Sequence, residues 1–368
     1  MEYTPNASFK KPGYDDPVDI ADINGNFDIA DTHIGGAITS QGGIHGVRYS
    51  NATKQFEVYD EDKGAWVGID AARWSELGTL DEASWETISA ASQAGIAPSC
   101  WSVGDPKAVH LQGTVGTLAL DSTLYVYILG FNHNKALEGG GIHFGGFKTA
   151  ALDGVDVCLT DAKYGYGISD GTKWFNMSHW GYSNHGGWAG CDQRYDILGS
   201  TDKAPSGYGK LAAAGRVGYD ASATTATNPV ANTLMAALPA DLRAVMKPIT
   251  KYTDNVGGGG DDAPNKVTAT VDYLPLLSEC EVFGNPDISY GWHYSNRAEW
   301  QSQRQYDYFL AGNTRIKSKH SATATRACWW LRSPDRYVSS GFCSVITGGG
   351  PSGYYAGHSW GLAAALAV

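Results

Sequence analysis

The spacing of apolar residues near the start of the chain predicts a short helix. Ile20, Ile23, Phe27, Ala30 and Ile34 are separated by 3, 4, 3 and 4 positions, which is the spacing of a coiled-coil seam. A helix of about two heptads is marginal on its own. It therefore packs either against copies of itself or onto its own domain, and the periodicity favours neither alternative.

Further along the chain the pattern changes to the alternation typical of strands. Three short runs, 47–50, 55–59 and 65–69, are separated by turn-forming residues, and this predicts a β-meander. So small a sheet needs another element to pack against, which again indicates oligomerisation or docking. Residues 70–96 then follow a helical pattern that ends before Pro98.

The rest of the chain, from residue 99, alternates between strand-like runs, helical stretches and glycine-rich loops. Apolar residues at helical spacing predict a helix over 230–246, which Pro239 splits in two. Residues 362–368 are almost wholly apolar, as in a buried strand. The other strand-like runs are Val109–Leu111, Leu124–Leu129 and Val155–Leu159. These elements predict an α+β fold with many irregular loops.

Composition and charge exclude several classes of protein. The net charge is −11, and without a basic patch such a chain is a poor nucleic-acid binder, so we expect no nucleic-acid partner. No apolar stretch approaches the ~20 residues of a membrane span, and the first residues lack the pattern of a signal peptide. The six cysteines are widely spaced, which favours buried free thiols over a disulfide framework.

Candidate catalytic and metal-binding groups are few. His179, His185, Cys191 and Asp192 cluster along the chain, but their spacing fits no strong zinc pattern, and we interpret them as loop residues. Acid pairs such as Glu279 with Glu281, or 261 with 262, could serve as catalytic carboxylates only if the fold made them converge. We therefore expect no catalytic centre, metal or cofactor.

The segment 333–359 has a composition unlike the rest of the chain. It contains no Lys, Glu, Gln or Met and is dominated by Gly, Ser and Tyr, the residues that dominate antibody paratopes. Apolar segments flank it on both sides and would hold it on a rigid scaffold, and its tyrosines favour a binding surface over an ordinary loop. The predicted ligand-binding residues are Asp335, Arg336, Tyr337, Ser339, Ser340, Ser344, Tyr354, Tyr355, His358 and Ser359. Tyrosine and arginine are the residues that most often anchor interfaces, whereas Phe342, Cys343 and Val345 are expected to face the core.

Several motifs resemble a bacterial and phage domain family of unknown function that is related to the C-type-lectin-like (formylglycine-generating-enzyme-like) fold. They are WSVGDPKAVHLQGTV (101–115), FNHN (131–134), LPADLRAVMKPITKYTDN (238–255), LLSECEVFG (276–284) and WWLRSP (329–334). The match covers about residues 99–368, and its motifs occur in order. It implies a lectin-like domain over 99–368, but the motifs for calcium-dependent sugar binding are absent from the sequence. The reactive cysteine pair of the related enzymes is not matched by Cys328 and Cys343, which are fifteen residues apart.

The C-terminal segment also resembles the variable proteins of diversity-generating retroelements. In those systems a reverse transcriptase rewrites adenines, so that asparagine codons become codons that never encode Lys, Glu, Gln, Met or Trp. The residue types missing from 335–359 agree with this rule, although no asparagine remains in the stretch. The resemblance implies a diversified ligand-binding surface at 335–359.

The first part of the chain is similar to segments of phage tail-fibre proteins. These segments are KKPGYDDPVDIADINGNFDIADTHI (10–34) and GVRYSNATKQFEVYDEDKGAWVGI (46–69). The resemblance implies that residues 1–95 attach the protein to other tail proteins and form a homotrimer. The expected protein is then a receptor-binding component of a phage or prophage tail, located in the virion and, before assembly, in the cytoplasm of the producing bacterium. Its expected partners are proteins or glycans of the host surface. The alternatives are a glycan-active enzyme and a bacterial interaction protein with no role in a virion.

Overall fold

The computed structural model describes most of the chain from residue 77 onwards and the backbone of five short strands before it. The described ranges are 77–165, 173–179, 183–200, 226–255, 263–285 and 293–368, with strands at 2–3, 10–11, 47–50, 55–60 and 65–69. The chain divides into two compact units, Met1–Gly78 and Thr79–Val368. The predicted helical seam at 20–34 lies outside the described residues.

In the first unit, the predicted β-meander is confirmed. Strands β3 (Val47–Ser50), β4 (Gln55–Asp60) and β5 (Ala65–Ile69) form an antiparallel three-stranded sheet. The first two strands of the chain, β1 (Glu2–Tyr3) and β2 (Lys10–Lys11), pair separately and antiparallel.

Helix α1 (Trp85–Gln93) begins the second unit, whereas the sequence pattern assigned residues up to 95 to the first part of the chain. Ser84 caps its N-terminus by accepting a hydrogen bond from the Thr87 N–H. The buried Trp85 ring packs edge-on against Phe144, with ring centroids 5.4 Å apart. At the other end, Ser92 Oγ donates to the carbonyl of Val368 over 2.7 Å. These contacts with distant parts of the chain place the helix in the larger unit.

A seven-stranded sheet forms the framework of the second unit. Its order is β13-β12-β9-β8-β7-β6, and the C-terminal strand β17 also pairs with β8. The strands are β6 (Pro106–Val115), β7 (Leu118–Phe131), β8 (Ile142–Lys148), β9 (Asp156–Cys158), β12 (Lys317–Lys319), β13 (Ala322–Ala327) and β17 (Ala365–Ala367). The predicted runs Val109–Leu111 and Leu124–Leu129 lie within β6 and β7, whereas β9 and β17 are shorter than the predicted runs Val155–Leu159 and 362–368. Residues 362–368 are buried throughout, as expected.

Two smaller sheets and a set of short helices complete the second unit. One sheet pairs β10 (Ile249–Asp254) with β11 (Val267–Asp272), and the other has the order β14-β15-β16. The latter strands are β14 (Trp329–Pro334), β15 (Gly341–Val345) and β16 (Pro351–Tyr355). The helices after α1 are α2 (Ala97–Cys100), α3 (Lys135–Glu138), α4 (Gly187–Gly190), α5 (Leu234–Ala237), α6 (Ala240–Val245), α7 (Glu279–Phe283), α8 (Arg297–Trp300) and α9 (Asp307–Leu310). A π-helical turn spans Gln193–Ile197, and a 3₁₀ turn spans Pro264–Lys266.

The architecture is therefore α+β, with sheets predominating. Pro239 separates α5 from α6, which confirms the predicted break. Among the described residues, no helix is both long enough and apolar enough to cross a bilayer.

Candidate functional site: the tyrosine surface

The predicted binding segment is carried by the small sheet β14-β15-β16. Every residue of β14 and β15 is buried, and β16 pairs antiparallel with β15 so that Phe342 lies opposite Tyr354 and Gly341 opposite Tyr355. Phe342, Cys343 and Val345 are fully buried, which confirms that they face the core. The turn between β14 and β15 and the outer strand β16 are thus supported by two buried strands, β14 and β15.

Three tyrosines of this segment are exposed to solvent. We define the tyrosine surface as these three residues together with Arg336, Val338, Ser339, Ser340, Ile346 and His358. The exposed fractions are 55% for Tyr337, 39% for Tyr354 and 53% for Tyr355. Ser339 is also exposed, whereas Arg336, Ser340 and His358 are half-buried. Two apolar side chains that the sequence analysis did not include, Val338 and Ile346, are exposed as well.

Tyr354 is held by a stack of aromatic rings. Its ring centroid lies 4.1 Å from that of Trp360 and 4.8 Å from that of His358. Trp360 in turn stacks on the fully buried Trp330 at 5.0 Å. Partial burial lowers the pKa of His358. Because the stack reaches the core, the exposed face of Tyr354 is presented in a fixed orientation.

A second aromatic group surrounds Tyr337 and includes residues far away in the sequence. The Arg336 guanidinium lies over the Tyr337 ring at 5.0 Å, within the range of a cation–π interaction. Its Nη1 lies 2.6 Å from Nε2 of His293, and the Tyr294 ring meets Tyr337 edge-on at 6.4 Å. Sequence reasoning missed His293 and Tyr294 because nothing in their local pattern links them to the C-terminal segment.

Three predicted contact residues are buried, so their expected exposure is corrected. Asp335 accepts a hydrogen bond from the Tyr337 N–H at 2.8 Å, and Ser344 Oγ donates to the Ser352 carbonyl at 3.3 Å. Ser359 Oγ lies 2.7 Å from Asp161 Oδ2. In each case a buried polar side chain is hydrogen-bonded within the protein, so these residues support the surface and do not form its exposed part.

The turn that carries Tyr337 is fixed by one buried asparagine. Asn184 Nδ2 lies within 3.0 Å of three carbonyl oxygens, those of Asp335, Val338 and Gly341, and its backbone N–H donates to the Ser339 carbonyl at 2.9 Å. One side chain from another part of the chain therefore sets the course of the whole turn.

Gly353, which lies opposite Cys343 in the sheet, leaves the space that the Asp335 side chain occupies. A Cβ on Gly353 would overlap the Asp335 carboxylate and lie 3.0 Å from the Tyr294 ring. We expect Gly353→Ala to lower the free energy of unfolding by about 1–3 kcal/mol, the usual cost of overpacking, as measured by urea denaturation. Gly348→Ala is the matched control, because nothing lies within 4 Å of its Cβ position. Equal losses in the two variants would contradict the packing argument.

Strand β14, which leads into the tyrosine surface, also carries the centre of a buried ionic network. Arg332 donates to both carboxylate oxygens of Glu281 and, over 3.0 Å, to Thr253 Oγ1. Lys251 Nζ lies 2.7 Å from Glu281 and 2.5 Å from Glu138. Buried charges persist only when each is paired and hydrogen-bonded, and here two cations and two carboxylates compensate one another.

This network joins the segments that carry the family resemblance. Lys251 comes from 238–255, Glu281 from 276–284 and Arg332 from 329–334. His133, in the FNHN motif, stacks on Tyr306 at 3.7 Å. Side chains from four of the five motifs therefore meet in the core and help to specify the scaffold.

The acid pair on helix α7 points into the scaffold too. Glu281 closes a capping box with Ser278, and Glu279 accepts hydrogen bonds from the Ser295 N–H and hydroxyl at 2.8 and 2.7 Å. The arginine and lysine beside Glu281 hold the pKa of its carboxyl well below the usual range, whereas burial raises the pKa of Glu279. The pair 261–262 lies outside the described residues.

All six cysteines carry free thiols. Four are buried, as predicted, whereas Cys100 and Cys328 are half-buried. Burial raises the pKa of Cys343 well above its usual value and that of Cys158 to about 12. A thiol whose ionisation is suppressed in this way is a weak nucleophile.

Of the four residues clustered in the sequence around His179, two come together in the structure. His179 and Asp192 lie side by side and are joined by Asp196, which sequence reasoning missed. His185 is exposed, and the Cys191 thiol lies 3.2 Å from the Met177 carbonyl, its hydrogen-bond acceptor.

Comparison with known proteins adds one finding. The family model described as "Domain of unknown function (DUF6273)" matches residues 162–366, which include β14, β15, β16 and the whole tyrosine surface. No curated protein and no solved structure matches the chain. Since the matched residues make up more than half of the sequence, the chain belongs to the DUF6273 domain family.

Proposed function

We propose that this protein is a receptor-binding component of a phage or prophage tail, which recognises the host cell through the tyrosine surface. The observation that carries the proposal is the exposure of Tyr337, Tyr354 and Tyr355 on a sheet whose other two strands are wholly buried. Large aromatic side chains seldom remain exposed together unless they contact a partner. Rigid tyrosines among small polar residues are the usual composition of an adaptable binding surface.

Diversification of this segment by a retroelement is part of the proposal. The exposed positions of 335–359 have few packing constraints, so varied side chains there would leave the fold intact. The buried positions of the same segment are small or apolar residues that support the sheet. Such a division between tolerant and fixed positions is what a diversified surface needs. The finer fold assignment, a C-type-lectin-like domain over 99–368, belongs to the same proposal and is supported by the α+β architecture.

The ligand would be a protein or glycan of the host surface. In the proposal, residues 1–95 attach the protein to other tail proteins, and the assembled trimer resides in the virion. Three copies of one site would raise the effective affinity for a repetitive cell surface, so that weak single contacts suffice. The confirmed meander of β3, β4 and β5 is compatible with such a unit because a sheet of three short strands needs additional packing.

The proposal is tested by removing the three exposed rings together. We expect the triple variant Tyr337→Ala, Tyr354→Ala and Tyr355→Ala to fold but to lose at least tenfold in adsorption to a bacterial strain that the wild-type protein binds, because truncating an anchoring residue costs about 2 kcal/mol or more. Circular dichroism and thermal unfolding check the fold, and adsorption of fluorescent protein to a panel of strains measures binding.

Val271→Ala is the matched control, since Val271 is 52% exposed on β11, outside the tyrosine surface. A folded triple variant with unchanged adsorption would exclude the tyrosine surface as the receptor site.

A further inference from the structure

Among the described residues of the second unit, two clusters bring a histidine next to two carboxylates. In one, His133 lies beside Glu138 and Glu281, and in the other His179 lies beside Asp192 and Asp196. The first already contains a cation, because the ammonium group of Lys251 bridges its two carboxylates. The second lies where the segment 174–179 meets the π-helical turn Gln193–Ile197.

In the second cluster, the orientation of the His179 ring is set by a backbone carbonyl. His179 Nε2 lies 3.2 Å from the carbonyl oxygen of Trp174. A carbonyl only accepts hydrogen bonds, so Nε2 carries the proton, and the lone pair of the neutral ring is on Nδ1. Nδ1 lies 3.6 Å from Asp196 Oδ2. A metal-binding histidine has this arrangement, in which one nitrogen donates to a carbonyl and the other faces the ion.

The carboxylates are held in position by the local backbone. Asp192 precedes the π-helical turn Gln193–Ile197, and Asp196 lies within it; such turns occur frequently at functional sites. Asp192 Oδ2 accepts the His179 N–H at 2.7 Å, and the Asp192 N–H donates to the Met177 carbonyl at 3.1 Å. The ligand atoms of the three side chains all lie within 4.8 Å of one another. Hydrogen bonds between the two segments therefore pre-organise the cluster.

Two basic side chains lie near this cluster. Lys173 Nζ is 3.6 Å from Asp196 Oδ1, but its side chain is 44% exposed, so solvent weakens that pair. The guanidinium of Arg194, on the same turn, is directed to Asp272 at 2.5 Å. His179 and Asp192 are buried, whereas the Asp196 side chain is 16% exposed, which provides a path from solvent.

We propose that His179, Asp192 and Asp196 bind a divalent transition-metal ion, with water completing the coordination. One imidazole and two carboxylates suit zinc or manganese, whereas calcium prefers six to eight oxygen ligands. The ion would fasten residues 174–179 to the π-helical turn. The same segment supports the tyrosine surface, since the Ser178 N–H donates to the Ala356 carbonyl at 3.1 Å. Metal binding would therefore stabilise the frame of that surface without contacting its ligand.

The test is a calorimetric titration of the untagged, EDTA-treated full chain with zinc chloride, followed by manganese and calcium chloride. We expect one zinc ion per chain and a zinc-dependent rise in the thermal unfolding temperature. His179→Ala and Asp196→Asn are expected to weaken binding by at least about tenfold, the loss that even changes to outer-shell groups produce. Lys173→Ala is expected to tighten it, because a competing cation is removed.

The matched control is His110→Ala, which disrupts an exposed histidine–aspartate pair with 3.1 Å between His110 Nε2 and Asp121 Oδ1. It is expected to leave zinc affinity unchanged. Asp196→Asn keeps the shape of a partly exposed side chain, so the test holds even if His179→Ala does not fold. The proposal is overturned if the wild-type chain binds no zinc, if Asp196→Asn binds it as tightly as wild type, or if calcium alone binds.

Discussion

Replacing Arg332 with methionine is expected to lower the free energy of unfolding by about 3–5 kcal/mol, the cost of removing one partner from a buried ion pair. Arg332 is fully buried and donates to both oxygens of Glu281. Methionine fills much of the same volume, but it leaves Glu281 with Lys251 as its only charged partner among the described residues. Urea denaturation of the full chain measures the loss.

Arg326→Met is the matched control, because Arg326 is an exposed arginine on the edge strand β13. We expect it to change stability by less than about 0.5 kcal/mol. The double variant Glu281→Gln with Arg332→Met is expected to lose less than the sum of the single variants, since the two residues share one interaction. Additive losses, or a loss from Arg332→Met as small as the control, would contradict the ionic network as a source of stability.

The second large effect is expected in acid, where the buried histidines oppose folding. Burial, reinforced by the charge of Lys251, lowers the pKa of His133 to about 3. An unfolded chain binds a proton at this position below about pH 6.5, whereas the folded chain does so only near pH 3. His133 therefore makes the protein less stable as the pH falls between these values, by up to about 1.4 kcal/mol per pH unit.

Other buried titratable groups change the stability of the fold with pH in opposite senses. The contribution of His133 is therefore measured by comparing a variant with the wild-type protein. Burial lowers the pKa of His143 as well, which adds to the acid sensitivity. Burial raises the pKa of Glu299 to about 7, and that of Glu138 is also raised. A carboxyl with a raised pKa stabilises the fold as the pH falls and loses this effect as the pH rises through its folded value. The total pH dependence of the wild-type protein is thus a partial cancellation.

His133→Phe isolates one contribution, because phenylalanine keeps a ring that can stack on Tyr306. We expect the stability of this variant relative to wild type to increase steadily as the pH is lowered from 6.5 to 4, as measured by urea denaturation at each pH. His110→Phe, at an exposed position, serves as the control and is expected to follow the wild-type curve. A constant difference between His133→Phe and wild type would show that His133 does not titrate as its burial requires.

Much of the fold was predictable from local patterns. Alternation over 47–69 predicted three strands, and Pro239 predicted the break between α5 and α6, because strand alternation and proline geometry act over a few residues. The boundary between the units was predicted less well, since the contacts of Trp85 with Phe144 and of Ser92 with Val368 join positions far apart in the chain.

The tyrosine surface, too, was predictable from the sequence only in part. Composition alone identified the segment 335–359 and its exposed tyrosines. It did not separate Tyr337 from Asp335, because the aspartate is buried only in the tertiary structure, where its carboxylate lies against Gly353 and accepts a hydrogen bond from the Tyr337 N–H. His293 and Tyr294 could not have been assigned to this surface from their neighbours in the sequence.

By itself, the sequence determined the α+β class, the positions of strands β6, β7, β9 and β17 in the second unit, the buried flanking segments and the location of a tyrosine-rich display segment. These follow from periodicity and composition, which are local properties of the chain. Only the tertiary structure decided which side chains face solvent, how Lys251, Glu281 and Arg332 neutralise one another, and that Asp196 joins His179 and Asp192. Those arrangements depend on distances between residues that are remote in sequence, and such distances are set when the chain packs its core.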